Sequence, residues 1–362
     1  MKLVVIIPAL NEAATIAGVI QRIPARIPGV TRCETIVVDD GSSDATAEEA
    51  RAAGARVVQH PVNRGVGAAF KTGVEAALEA GADIVVNMDA DGQFRPEDIP
   101  RLIAPILAGK AGFVTCTRFA DPAHLPQMPW IKRWGNAGMT WLIGRLCGRK
   151  FTDVSCGFRA YTRETLLRLN LYGRYTYTQE MFLNLAVQDV PMAEVSLSVR
   201  GTREFGKSRV AGSITKYIRK TVPIIFRTLR DVRPFAFFGT IAAVLLLGGL
   251  GAEGFVFGHW CLTGRTHPYQ ALITVGAVGI ILGFLVLVIA LVADMLNRLR
   301  RLLENVLYYV RSAHYARAVP FTHRLRDEGP EVICEARLPV EAIAPHESYD
   351  EEPALVPLEK SS

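Results

Sequence analysis

Two uncharged apolar runs most constrain what this chain can become. Residues 234–252 carry no charge, and the apolar character continues past Glu253 to Phe257; residues 268–293 form a second uncharged run. A bilayer core takes about 20 apolar residues at ~1.5 Å each, so either run can span. Helices that are apolar all round at this length are unusual in a soluble core. A two-helix membrane hairpin within residues 233–296 is therefore expected. Lys216, Arg219, Lys220, Arg227, Arg230 and Arg233 precede the first run, Arg298, Arg300 and Arg301 follow the second, and the connecting loop has only Arg265. The positive-inside rule then places both large flanks in the cytoplasm and the short loop outside, giving a multi-pass cell-membrane protein with cytoplasmic termini. The apolar start at residues 3–7 is too short for a signal peptide and runs straight into Pro8.

The composition narrows the rest. The chain of 362 residues is 50% hydrophobic and 21% charged, which excludes a wholly disordered protein, and its 31 Gly and 20 Pro show no collagen triplet. The net charge of +6 hides an asymmetry: residues 327–362 hold ten acidic and two basic residues, so the first 326 carry +14. A basic body suits phosphorylated substrates, anionic lipid or nucleic acid. No nucleic-acid motif accompanies it, so lipid and phosphate explain it better. Cys33, Cys116, Cys147, Cys156, Cys261 and Cys334 form no C-x-x-C pair. A zinc ribbon or a disulfide framework is not expected, and the thiols read as reduced.

Residues 1–212 alternate aliphatic runs with helically spaced segments. The runs at 3–7, 35–38, 56–59, 83–88 and 113–116 read as strands; 12–23, 44–53, 66–80, 96–107 and 130–146 read as helices. Such alternation predicts a mostly parallel sheet with helices on both faces. Residues 213–232 mix Lys and Arg with Ile, Val and Phe, as a helix lying on a membrane surface does. Residues 297–318 read as a separate cytoplasmic helix with a Leu stripe, and 319–362 as an acidic disordered tail.

Ligands in open α/β sheets bind beyond the carboxyl ends of the strands. Two acidic clusters fall there. In Asp89-Ala90-Asp91, with Gln93 two residues on, paired carboxylates follow a buried strand, and Mg²⁺ or Mn²⁺ takes such oxygens together with substrate phosphates. In Asp39-Asp40-Gly41-Ser42-Ser43-Asp44, Asp44 suits a helix cap, while Asp39 and Asp40 are placed to accept hydrogen bonds from a base or ribose. Glu12, after Pro8-Ala9-Leu10-Asn11, fits a helix N-terminus as well as a ligand contact. Asn63-Arg64-Gly65-Val66-Gly67 reads as a turn before a helix. Trp130, Trp134 and Trp141 recur at roughly helical spacing, which core or interfacial packing explains better than sugar stacking.

In their order and spacing, VIIPALNEAATI, IVVDDGSSDAT, NRGVGAAFKTG and MDADGQFRPED resemble the GT-A glycosyltransferases of family two. TRF, DVSCGFRAYTRETL and REFGKSR, together with two C-terminal spans, narrow the resemblance to the polyprenyl-phosphate group, the dolichol-phosphate mannose or glucose synthases. It covers residues 1–212 well and the membrane pair in outline. It implies an α/β fold: a Rossmann-like GT-A (nucleotide-diphospho-sugar transferase) catalytic domain followed by two transmembrane helices. It also implies an inverting hexosyl transfer from a nucleotide sugar (GDP-mannose or a UDP-hexose) to a polyprenyl or dolichyl phosphate, with Mg²⁺ or Mn²⁺.

The resemblance assigns roles residue by residue. Pro8, Leu10, Glu12, Val38 and Asp40 match the nucleoside-binding segment. Ala90, Asp91 and Gln93 match the sugar-nucleotide and metal turn, with Asp91 and Gln93 as metal ligands and Asp89 beside them. Arg118 matches an arginine contacting the nucleotide sugar, and Arg203 and Arg209 match a basic loop over the diphosphate, with Arg209 where the family usually has Lys. Lys132, Arg133 and Asn136 match the region that holds the lipid phosphate, with Asn136 where Ser is common. Asp89, Asp91, Arg118 and Arg203 are then the catalytic group. Glu180 matches an acidic residue facing the site, and Arg159 reads as partly structural, with Asp153 as its partner.

Three other readings compete. A processive polysaccharide synthase would carry Q-x-x-R-W, but Trp130 stands where the Gln belongs before Arg133-Trp134. Transfer to another membrane lipid fits the same motifs. A catalytically silent membrane scaffold would not require Asp89, Asp91 and the basic loop. Gly279 and Gly283 form a G-x-x-x-G, which suggests a homo-oligomer.

Overall fold

The computed structural model describes residues 1–119, 130–170, 177–200, 230, 234–316 and 355–356, leaving aside the side chains of 130–132, 177–180 and 355–356. Arg203 and Arg209, the expected surface helix at 213–232 and most of the acidic tail lie outside these residues.

Strands β1 (Lys2–Ala9), β2 (Arg32–Asp39) and β4 (Ile84–Asn87) are aliphatic runs buried on both faces, as central parallel strands are. Side chains alternate between two cores: Leu3, Val5 and Ile7 enter one, Val4 and Ile6 the other. With β3 (Arg56–Gln59), β5 (Phe113–Thr117), β6 (Arg159–Thr162) and β7 (Met192–Ser196) they make a seven-stranded sheet ordered β3-β2-β1-β4-β6-β5-β7. Helices α1 (Ala13–Gln21), α2 (Thr46–Ala52), α3 (Val66–Glu79) and α4 (Ile99–Leu107) follow β1, β2, β3 and β4 in turn. This is the expected GT-A domain, with one departure. The sheet is mixed, because β6 lies antiparallel between β4 and β5. The chain returns across the carboxyl edge after α5 (Trp130–Cys147) and enters β6 from that edge. The segment just before β6 is thereby brought to the end of the sheet where β4 and β5 finish. After β6 come α6 (Arg163–Arg168) and α7 (Tyr177–Val187).

Helices α8 (Pro234–Thr263) and α9 (Gln270–His314) are both long and apolar enough to cross a membrane. Only 11% and 17% of their most apolar windows are buried, unlike core helices of a soluble domain. They pack through small residues in a seven-residue rhythm: Ala242, Gly249 and Val256 on α8, Gly276, Gly283 and Ala290 on α9. A Cβ on Gly283 would lie 2.7 Å from Leu246 Cγ, and one on Gly279 3.4 Å from Gly249 Cα. The G-x-x-x-G therefore closes the hairpin within one chain, and no longer argues for a homo-oligomer.

The separate cytoplasmic helix expected from residue 297 is instead the continuation of α9, which runs unbroken for 45 residues. The charges that begin at Asp294 mark a change of surroundings but not of backbone, for no Pro or Gly follows Gly283 in the helix. Arg298–Asp294 and Arg300–Glu304 pairs bridge successive turns there, at 3.0 and 2.9 Å. The far end docks on the catalytic domain. Tyr308 donates to Glu164 Oε2 at 3.0 Å, Arg311 donates to Leu169 O and Asn170 Oδ1 at 2.9 and 3.0 Å, and Arg163 donates to Tyr315 O. In the tail, expected to be unstructured, Leu355–Val356 forms a two-residue strand β8 antiparallel to β7.

Candidate active site

The carboxyl ends of the neighbouring strands β2, β1 and β4 gather most of the donor-side residues. Pro8 and Val38 are register partners, both buried. Leu10 and Glu12 follow half-buried, and Ala90 and Asp91 are buried just beyond β4. The loops are tied together by short polar side chains. Asn11 N–H donates to Ser42 Oγ at 2.9 Å, Ser43 N–H to Asn11 Oδ1 at 2.8 Å, and Glu12 N–H to Thr46 Oγ1 at 2.9 Å. Asp44 accepts from Thr46 N–H and from Ala13 N–H, at 3.1 and 3.2 Å, so it serves the first turns of α2 and α1 together.

Asp39 and Asp40 are both buried and already engaged. Asp39 accepts from Ser42 N–H and Gln59 Nε2, at 3.0 and 3.2 Å. Asp40 lies 2.7 Å from His60 Nδ1 and accepts from the Arg64 and Gly65 amides at 2.9 and 2.8 Å. His60 reaches Thr72 Oγ1 at 3.0 Å on its other side. Asp40 thus holds the turn into α3 and keeps at most one acceptor position on Oδ2 for a ligand. The sequence reading missed His60, a lone His after a short edge strand.

The acidic turn is shaped from the opposite side of the sheet. Asn87 Nδ2 donates to Gly157 O at 2.8 Å, and a Cβ on Gly157 would stand 2.9 Å from Asp89 Oδ2. Only glycine lets the segment before β6 come this close to the carboxylate. Asp91 Oδ1 accepts from Gln93 N–H at 3.1 Å. Gln93 is bound twice to Arg200: its Nε2 donates to Arg200 O at 3.2 Å, and its O accepts from Arg200 N–H at 3.0 Å. The turn is thereby fastened to the residue that leads into the Arg203–Arg209 segment.

Arg118, just past β5, is clamped. Its Nε and Nη2 donate to the two Asp153 oxygens at 2.6 and 3.1 Å, and Nη2 also donates to Ser155 Oγ at 2.6 Å. Burial alone would lower the guanidinium pKa; the Asp153 carboxylate outweighs it and keeps the charge. Asn136 on α5 adds a long 3.4 Å contact from Nδ2 to Asp153 Oδ1. Asp153 therefore pairs with Arg118 and not, as expected, with Arg159. Arg159 points into the core, fully buried, with its guanidinium 5.0 Å from the Phe182 ring and donating to Val154 O at 3.1 Å. Arg133 is exposed on the outer side of α5. The side chains of Lys132 and Glu180 are outside the described residues.

Beneath the clamp sits Glu194 of β7, fully buried and not singled out by the sequence reading. Its carboxylate accepts from Thr152 N–H at 2.9 Å, Thr152 Oγ1 at 3.0 Å and Asp153 N–H at 3.1 Å. Thr152 Oγ1 also meets Thr117 Oγ1 at 2.6 Å. Burial pushes the Glu194 carboxyl up to about 7, against these hydrogen bonds. Glu194 therefore fixes the 152–153 turn that orients Arg118. Nearby Cys116 and Cys156 are buried free thiols, as expected, and their mutual hydrogen bond with burial raises the Cys116 pKa well above its ordinary value.

Residues 4–169 match the glycosyl transferase family 2 model. The UDP-N-acetylglucosamine–dolichyl-phosphate N-acetylglucosaminyltransferase of Methanococcus voltae is 34% identical over 178 residues, 44% of this chain and 69% of that protein. The polyprenol monophosphomannose synthase of Mycolicibacterium smegmatis is 30% identical, covering 58% of this chain and 81% of its own length. Glycosyltransferase AglJ of Haloferax volcanii is 28% identical over 303 residues, 82% of this chain and 94% of that protein.

Proposed function

The chain belongs to glycosyl transferase family 2, and on that footing we propose that it moves a hexose from a nucleotide-diphosphate sugar to the phosphate of a polyprenyl or dolichyl phosphate. The catalytic domain and both termini face the cytoplasm in this reading. The observation that carries it is the 152–158 segment: at one end it reaches the Asp89 carboxylate, and at the other it clamps Arg118. An acidic turn suited to a donor diphosphate and a fixed arginine suited to the nucleotide sugar are thus joined, in a chain with two membrane-length helices. The M. voltae and M. smegmatis relatives, named for dolichyl-phosphate and polyprenol phosphomannose chemistry, support the acceptor class.

Asp89 and Asp91 offer the hard oxygen donors that Mg²⁺ or Mn²⁺ takes beside substrate phosphates, and Gly157 leaves space at the Asp89 carboxylate. Asp91 and Gln93 would hold the cation, Gln93 through Oε1, since Nε2 is given to Arg200. When bound, the cation neutralises the leaving diphosphate.

The chain's own residues do the remainder. Arg118 is preorganised: Asp153 and Ser155 fix the guanidinium plane before any ligand arrives, so no reorganisation is needed as charge develops. Its Nη1 makes no hydrogen bond among the described residues and is the edge available to a ligand. Arg203 and Arg209 supply charge to the donor diphosphate, and Lys132, Arg133 and Asn136 receive the acceptor phosphate. A phosphate monoester has a second pKa near ~6, so the acceptor is largely dianionic at neutral pH and needs no strong base. Its oxygen bonds to the anomeric carbon as the bond to the nucleoside diphosphate breaks, which inverts that centre.

The test is purified protein with polyprenyl phosphate, Mn²⁺ or Mg²⁺ and a panel of GDP- and UDP-sugars, with products weighed by mass spectrometry. One donor is expected to yield a lipid phosphate hexose. Asp91→Asn is expected to lower the rate by about 10²-fold or more, in line with loss of a charge-stabilising group. No product from any donor would overturn the reading.

A further inference from the structure

His60 is buried between two partners, and the transfer chemistry leaves it without a task. Its Nδ1 lies 2.7 Å from Asp40 Oδ1, and its Nε2 lies 3.0 Å from Thr72 Oγ1 on α3. An ionised carboxylate only accepts, so Nδ1 carries the hydrogen that is given to Asp40. The Arg64 amide takes the second acceptor position of Oδ1 at 2.9 Å, and the Gly65 amide takes one position of Oδ2 at 2.8 Å. The backbone is pinned as well. Asp40 N–H donates to Ala9 O at 2.9 Å, which sets the residue beside the end of β1, and a Cβ on Gly41 would stand 2.8 Å from Asn63 N. The 40–42 turn is thus packed against the 62–65 turn, and the carboxylate stays as its three donors hold it. One lone pair, on Oδ2, is left for a ligand.

We propose that His60 is a positioning residue that selects the donor's base. By filling Oδ1 of Asp40 it leaves a site matched to a base with a single ring N–H, so the donor is a uridine and not a guanosine diphosphate sugar. This base preference rests on the transferase reading, with Asp40 in the nucleoside segment. Uracil offers one donor, N3–H, between two carbonyl oxygens. Guanine offers N1–H and the N2 amino group side by side, a pair that a carboxylate with both oxygens free accepts together. Against Asp40 only one of the two finds an acceptor. Asp40 is 4% exposed, which leaves little access for water to stand in for the other. A ligand whose polar group is left unpaired in a site is rejected strongly, because the lost hydrogen bond to water is not replaced.

The test measures nucleotide binding to the full chain in detergent with Mn²⁺, using UDP, GDP and N3-methyl-UDP. UDP is expected to bind about 10- to 100-fold tighter than GDP, as for one hydrogen bond to a charged group. The methyl group removes the one N–H and should weaken UDP by a similar factor. His60→Ala frees a position on Oδ1 and should close most of the gap between UDP and GDP. His60→Gln, whose Nε2 can still donate to Asp40, should keep it. Equal binding of UDP and GDP by the unaltered chain, or N3-methyl-UDP binding as well as UDP, would overturn the proposal even where His60→Ala does not fold. A folded His60→Ala chain that keeps the whole gap would also overturn it. A GDP-sugar that yields a lipid phosphate hexose would overturn the base preference and leave the transferase reading standing. A preference for UDP with no product from any donor would do the reverse.

Discussion

Two residues that were given no role in the sequence reading govern the candidate site, Gly157 within the DVSCGFRAYTRETL stretch and Glu194 outside any motif. Gly157 works by having no side chain: the first atom added would stand 2.9 Å from Asp89 Oδ2. Gly157→Ala should cost about 1–3 kcal/mol of stability from overpacking and displace Asp89, lowering turnover by far more than it lowers nucleotide affinity. Steady-state kinetics beside a melting curve checks this; unchanged turnover would show that Asp89 needs no such approach. Glu194 acts through charge. Burial holds its carboxyl at a pKa of about 7 when folded, against about 4.5 for a glutamate in water. Between those values the unfolded chain has released this proton and the folded chain keeps it. Stability should therefore fall as pH rises from about 4.5 to 7, by up to about 3 kcal/mol, and then level off. Glu194→Gln should flatten that slope in melts taken across the window, and parallel curves would contradict it. The acidic turn and the donor segments were legible because each is local, a few residues at a strand end. The pairing of Asp153 with Arg118 and the place of Glu194 were not: their partners lie 35 and 41 residues away, and a single Glu in a short strand looks like an outward-facing position.

At the scale of elements, periodicity located the strands β1 to β5 and the helices between them, while β6 and β7 escaped. Each is only four or five residues long and lacks a sustained aliphatic run. Nothing in four residues reveals that β6 runs against its neighbours. The helix α9 shows the converse. A switch from apolar to charged residues reports where the bilayer ends, and a backbone without Pro or Gly continues through it as one helix. Glycine is also what permits α8 and α9 to close. Gly283→Ile would force its Cβ to 2.7 Å from Leu246 Cγ, whereas Gly258→Ala meets nothing within 4 Å. The first substitution should open the hairpin and lower the detergent melting temperature by several degrees, and the second should leave it unchanged. Equal behaviour of the two would show that the hairpin is not held by close packing.

Across the whole molecule, a family 2 glycosyltransferase domain is tied to a membrane hairpin at two places. The chain runs from the domain into α8, and the far end of α9 returns to α6 through Tyr308, Arg311 and Tyr315. A membrane-length hairpin fastened in this way fits a substrate that is itself held in the bilayer. The apolar runs and the +14 charge of the first 326 residues made that much legible from composition. The clamp on Arg118 was not legible, because its pairing with Asp153, 35 residues away, is a product of folding. The most direct measurement offers the purified chain its donor sugar in vesicles containing equal amounts of polyprenyl phosphate, polyprenol and diacylglycerol, and weighs the lipid products. The account predicts sugar on the polyprenyl phosphate alone. Sugar on polyprenol or diacylglycerol, with the phosphate lipid untouched, would contradict it.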